Sequence, residues 1–113
     1  MNDNYFQETI TCINLNENYS TIIFQVSNFN WQDQHLQLFV EKFFELLTSA
    51  QLIEMIEGAD RLQIRFDYQQ EAFVLNLECN CESIWIESYV HNHESLLRLM
   101  FEDINRQIAK ELR

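Results

Sequence analysis

Two short pairs hold the residue types that most readily carry chemistry: Cys79-x-Cys81 and His91-x-His93. Thiolate sulfur and imidazole nitrogen are zinc ligands, so together the four compose a candidate zinc site. The spacing argues against it, because structural zinc pairs usually have about two to four residues between ligands. Reach argues more strongly. If Ser83 to Tyr89 is one extended strand, the pairs sit at its two ends. About ten residues at about 3.3 Å each then separate them by roughly 30 Å. Ligands must converge on a metal to within about 2 Å. The expectation is a buried thiol for Cys79, a turn position for Cys81 and a solvated strand-to-helix junction for the histidines, with no metal or cofactor.

Other catalytic patterns are thinner. Cys12 and His35 can be drawn as a dyad, but nothing in the sequence brings them together. Glu78, Glu82 and Glu87 surround one hairpin, and alternation puts Glu78 and Glu87 on a flat outer sheet face. Acid–base pairs need environments that separate their pKa values, usually in a cleft. These read as surface acids. There is no Gly-x-Ser-x-Gly elbow and no His-Glu-x-x-His motif, and one glycine in the chain leaves no phosphate-cradling loop. The pattern leans away from the common enzyme classes.

The chain has 113 residues, 47% of them hydrophobic, enough for a core in a single domain spanning 1–113. No linker, repeat or low-complexity tract divides it. Eighteen acidic residues against seven basic ones give a net charge of −11. Phosphate backbones are bound through Lys and Arg, so neither nucleic acid nor an anionic membrane is an expected partner. Acidity of this size serves solubility, and it also suits a surface that recognises a basic protein. The polar start Met1-Asn2-Asp3-Asn4 lacks the basic-then-apolar pattern of an export signal. No apolar run approaches the roughly 20 residues of a membrane span. Three cysteines form no even disulfide framework and read as reduced thiols. A cytoplasmic protein is expected.

The elements that must position these groups follow from hydrophobic period. From Arg61 to Tyr89, apolar residues alternate in three runs: Leu62, Ile64, Phe66 and Tyr68; Phe73, Leu75 and Leu77; Ile84 and Ile86. Alternation marks strands buried on one face, and parity fixes their register. Turns at Gln69-Gln70 and Asn80-Cys81 align Leu62–Leu77–Ile84, Ile64–Leu75–Ile86 and Phe66–Phe73–Ser88. Upstream, Thr9 to Asn14 and Ser20 to Val26 form a hairpin, with Ile10 and Cys12 alternating in one arm and Ile22, Phe24 and Val26 in the other. A helix is predicted from Trp31 to Ser49, capped by Asn30, with Leu36, Phe39, Val40, Phe43, Phe44, Leu46 and Leu47 on one stripe.

Leu52 to Glu57 reads as a short strand. Gly58, the lone glycine, is expected in a conformation closed to other residues. A last helix runs from His93 to Leu112, capped by Asn92, burying Leu97, Met100, Phe101, Ile104, Ile108 and Leu112. Glu94–Arg98 and Glu102–Arg106 stand four apart as supporting pairs. The order is β-β-α-β-β-β-β-α: an α+β two-layer sandwich, mostly antiparallel, with both helices on one face.

The other sheet face then carries Arg65–Val74–Glu87, Gln63–Asn76–Trp85 and Asp67–Ala72–Tyr89. Trp, Tyr and Arg dominate protein-binding hot spots, so Trp85, Tyr89, Val74, Arg65 and Glu87 form a candidate contact surface. The competing expectation is that the N-terminal segment, through Tyr5 and Phe6, covers this face, or that it is a homodimer contact.

The stretch Arg61 to Glu87, above all Leu77-Glu78-Cys79 followed by Glu82-Ser83-Ile84-Trp85-Ile86-Glu87, resembles a family of small acidic bacterial proteins of unknown function. The resemblance covers the last half of the chain. It implies a Ser-x-Trp-hydrophobic-Glu strand ahead of a final helix, and it brings no activity or substrate with it. The sequence reading is a non-enzymatic interaction module that uses the helix-free face to bind a basic protein or itself. The alternative is a metal-binding or thiol-dependent enzyme built on Cys79, Cys81, His91 and His93.

Overall fold

The computed structural model describes residues 4–18, 20–90 and 92–111. Along the chain lie α1 (Tyr5–Thr9), β1 (Ile10–Asn16), β2 (Thr21–Val26), α2 (Asp33–Leu46), β3 (Ala50–Glu57), β4 (Arg61–Tyr68), β5 (Glu71–Glu78), β6 (Ser83–Ser88) and α3 (Glu94–Ala109). The strands form one antiparallel sheet in the order β1-β2-β6-β5-β4-β3. The first hairpin docks through β2 onto β6, which leaves β1 and β3 as the edges.

The register of the centre is the one that alternation demands. Leu62 faces Leu77, which faces Ile84; Ile64 faces Leu75, which faces Ile86; Phe66 faces Phe73, which faces Ser88. A slip of one residue would turn this whole apolar set to water. Gln69 and Gln70 both take positive φ, 54° and 67°, as a two-residue hairpin turn requires despite the absence of Gly or Asn. In the second turn the positive φ falls on Glu82, whose N–H donates to the Cys79 carbonyl.

Both long helices cover the same face. Phe43 of α2 sets its ring edge-on to Phe24 at 6.4 Å and to Phe66 at 5.6 Å. Leu97, Met100 and Ile104 of α3 are buried beside them. Tyr68 joins β4 to α3 through its hydroxyl, 3.4 Å from Asp103. Burial, and then the Asp103 charge, push that phenol's pKa up. The result is the expected α+β arrangement of sheet and helices. No helix among the described residues is long and apolar enough to cross a membrane.

Several local expectations are overturned, each for a physical reason. An N-terminal helix, α1, precedes the first strand. Glu111 accepts the Phe6 and Gln7 N–H groups at 3.0 and 2.7 Å, and Phe6 is buried against Phe39 on the helix side. Tyr5 and Phe6 therefore do not cover the opposite face. A bulge between Ile10 and Cys12 shifts the parity of β1, exposing Cys12 and turning Ile13 and Leu15 to the core.

Helix α2 starts at Asp33 with Gln32, not Asn30, at its cap and no side-chain cap bond. Phe29 and Trp31 pack edge-on at 4.8 Å, and Phe29 meets Phe39 at 5.8 Å, which holds that stretch out of the helix. Leu47 caps its other end, short of Ser49. For α3, His93 holds the cap position and gives its N–H to Ser88 Oγ at 3.1 Å, so Asn92 is not the cap. Leu112 lies outside the described residues. Arg98 reaches Glu17 in the first hairpin loop at 2.5 Å, and Arg106 reaches Asp103 at 2.6 Å, in place of the expected partners four residues away. Gly58 has no positive φ, and an added Cβ would sit 3.5 Å from the Arg61 carbonyl, an ordinary contact.

Candidate functional site

Alternation buries Ile84 and Ile86 and so turns Trp85 and Glu87 away from the helices. Around them the helix-free face is assembled strand by strand. Ile23 of β2 stands opposite Trp85, and Thr21 opposite Glu87. Asn76 of β5 faces Trp85 on the other side and Gln63 of β4 beyond it. Ile23, Trp85, Thr21, Asn16, Glu78 and Cys81 line a groove of ≈ 340 Å³ that is more apolar than polar. Sequence reasoning missed Ile23. Alternation with Ile22 and Phe24 puts it on the other face, but nothing local in the sequence says that β2 docks beside β6.

A chain of side-chain hydrogen bonds crosses the centre. Gln63 Nε2 donates to Asn76 Oδ1, and Asn76 Nδ2 donates to Glu87 Oε2, both at 2.9 Å. Trp85 Nε1 donates to the same Glu87 oxygen at 3.1 Å, which fixes the indole plane. Asn76 is only 1% exposed, yet both its donor and its acceptor are used. Asn76→Ala deprives Gln63 and Glu87 of a partner at once. A loss of about 1–3 kcal/mol of stability is expected by urea unfolding, because a buried polar group left unpaired keeps its desolvation cost.

The candidate contact residues fall into different roles. Tyr89, 46% exposed, lies under the Arg65 guanidinium, whose Cζ is 4.2 Å from the ring centroid. Arg65 Nη1 also reaches Glu54 at 2.9 Å, while its Nε is enclosed with no acceptor among the described residues. Trp85 is half-buried. Val74 lies on this face but is 8% exposed, so it packs under its neighbours. Glu87 is occupied in holding Asn76 and Trp85. By register, the charged side chains on this face are Glu54, Asp67, Glu78 and Glu87 against Arg61 and Arg65. Its balance is negative.

The groups proposed for metal or thiol chemistry do not converge. Cys79 and Cys81 lie in the β5–β6 loop, and His93 lies beyond the far end of β6. The six residues of β6 alone separate them by about 20 Å. His91 lies outside the described residues. Cys79 is half-buried, with its thiol donating to the Trp31 carbonyl at 3.5 Å. His93 is not freely solvated: its Nε2 is 3.0 Å from Glu71. Among the described residues, no three His, Cys, Asp or Glu side chains cluster as metal ligands would. Cys12 is on the helix-free side, whereas exposed His35 belongs to α2 on the other.

Cys81 donates its thiol to Glu78 at 3.2 Å, and that bond, followed by the Glu78 charge, raises its pKa. A nucleophilic cysteine needs the opposite shift. Cys81 is therefore expected to alkylate more slowly than an unstructured thiol at mildly alkaline pH. Glu78→Gln removes the opposing charge and should speed the reaction several-fold, followed by mass spectrometry of iodoacetamide adducts.

The architecture is thus an α+β domain with its helices on one side of an antiparallel sheet and an open, acidic, aromatic-bearing face on the other. A family model described as protein of unknown function, DUF3630, matches residues 10–105, and the chain belongs to this family. The match takes in the first hairpin and α2 as well as the later stretch that carried the resemblance. No curated protein and no solved structure gives a match.

Proposed function

We propose that this protein is a non-enzymatic interaction module whose helix-free sheet face docks a basic protein partner. The observation that carries this reading is the pairing of Trp85 with Ile23 along an apolar groove on a face that no described segment covers. Indole, guanidinium-stacked tyrosine and aliphatic surface in one patch is the composition of a binding hot spot. The carboxylates around it favour cationic side chains and would speed encounter with them. The partner is expected to act in the cytoplasm.

The test is affinity capture with wild-type protein and with Trp85→Ala, alongside circular dichroism of both. The proposal expects a basic protein retained by the wild type and lost by the variant at unchanged fold, with retention falling between about 50 and about 300 mM salt as the charges are screened. A folded Trp85→Ala protein that retains the same partners, with the same salt response, would remove the idea.

A further inference from the structure

Among the described residues, the second surface without a partner is the free edge of β3. Leu52, Ile53, Met55 and Ile56 are between 40% and 47% exposed, although they are among the most apolar residues of any strand. The opposite edge differs. In β1 the apolar Ile10, Ile13 and Leu15 pack on the core, and Cys12, Asn14 and Asn16 face out. An apolar edge strand with open hydrogen-bonding groups is a template for another strand, and natural proteins normally suppress one.

Backbone geometry identifies the open groups. The Gly58 N–H donates to the Arg61 carbonyl at 2.8 Å and closes the β3–β4 hairpin. Hydrogen-bonded and non-hydrogen-bonded pairs alternate along an antiparallel ladder. Counting back through Ile56 opposite Gln63 and Met55 opposite Ile64, Ile56 is bonded to β4. Met55 and Glu57 instead turn N–H and C=O towards the free edge.

We infer that β3 pairs antiparallel with β3 of a second copy of this chain, joining two sheets across a two-fold axis at Met55 or Ile56. Such an axis, normal to the sheet, keeps both helix layers on one side. The only charges on β3 are Glu54 and Glu57. An axis at Met55 sets Glu54 against Ile56, and one at Ile56 sets Glu57 against Met55. Neither register opposes two carboxylates, so the segment is complementary to itself. Glu54 is already paired with Arg65, and Glu57 accepts from Gln37 at 3.4 Å. The bulge between Leu52 and Glu54 confines pairing to the second half of the strand. One apolar edge per chain closes the assembly at two.

Sedimentation velocity across micromolar to submillimolar concentration tests this on the full chain. A concentration-dependent dimer is expected. It should tighten with added salt, because each copy carries −11 and screening relieves the repulsion. Met55→Pro removes an N–H that makes no bond to β4, and should leave the fold intact by circular dichroism while weakening the dimer. Should the proline itself disturb β3, Ile56→Glu keeps every backbone group and brings carboxylates face to face in either register. Each variant is expected to raise the dissociation constant roughly tenfold or more. A wild type that stays monomeric, folded variants that dimerise as before, or a dimer that loosens with salt would overturn the inference. So would a dimer abolished by Trp85→Ala, which would place the contact on the helix-free face.

Discussion

Phe39→Ala is expected to lower the unfolding free energy by about 3–5 kcal/mol, the range for emptying a large buried aromatic site. Phe39 is fully buried, and its ring meets Tyr5 and Phe6 of α1, Phe24 of β2 and Phe29 of the loop before α2. These neighbours come from three separate parts of the chain, so the cavity cannot close by moving one of them. Proteins of this kind are stable by only about 5–15 kcal/mol, and the loss would be a large share of that. Urea unfolding followed by far-UV circular dichroism reads it. Leu38→Ala, one residue earlier on the solvent side of α2, should cost no more than about 0.5 kcal/mol. Similar midpoints for the two variants would mean that the aromatic cluster does not hold α1 and the first hairpin in place.

Trp85→Ala should act on binding rather than on folding. Its ring lies half-buried along the groove with Ile23, and its Nε1 shares Glu87 with Asn76. Truncation removes one hydrogen bond from a carboxylate that keeps another, a stability cost of about 1 kcal/mol. A central indole in a docking patch is worth about 2 kcal/mol or more, so affinity for the basic partner should fall by roughly 30-fold. Isothermal titration with the captured partner measures it. Leu99→Ala, at an exposed position on α3 on the far side of the sheet, should leave affinity unchanged.

What the sequence made legible was whatever a local period encodes. The register of β4, β5 and β6 follows from alternation, because only one parity buries Leu62, Leu75 and Ile86 together. The same parity turns Trp85, Tyr89 and Arg65 outward. Features that depend on distant neighbours were hidden. The bulge at Cys12 breaks the period by one residue, so Cys12 resembled an inward position. Asn30 had the chemistry of a helix cap, but Phe29 and Trp31 hold that segment against the core. Ile23 becomes part of the site only because β2 docks on β6, a pairing between strands some sixty residues apart. The exposure of Leu52 to Ile56 follows from the place of β3 in the strand order, which its own composition does not contain.

The two proposals give one small acidic chain surfaces with opposite salt responses: a face for a cationic partner and an edge for its own copy. The claim on which the functional account rests is that the partner lies over Trp85. The chain has two indoles, and Trp31 packs against Phe29 on the helix side, so their N–H resonances report the two sides of the sheet separately. The most direct measurement is a nitrogen–proton correlation spectrum of labelled protein titrated with the captured partner. The account predicts that the Trp85 indole resonance shifts or broadens while that of Trp31 stays in place. A Trp31 resonance that moves while Trp85 is unaffected would contradict it.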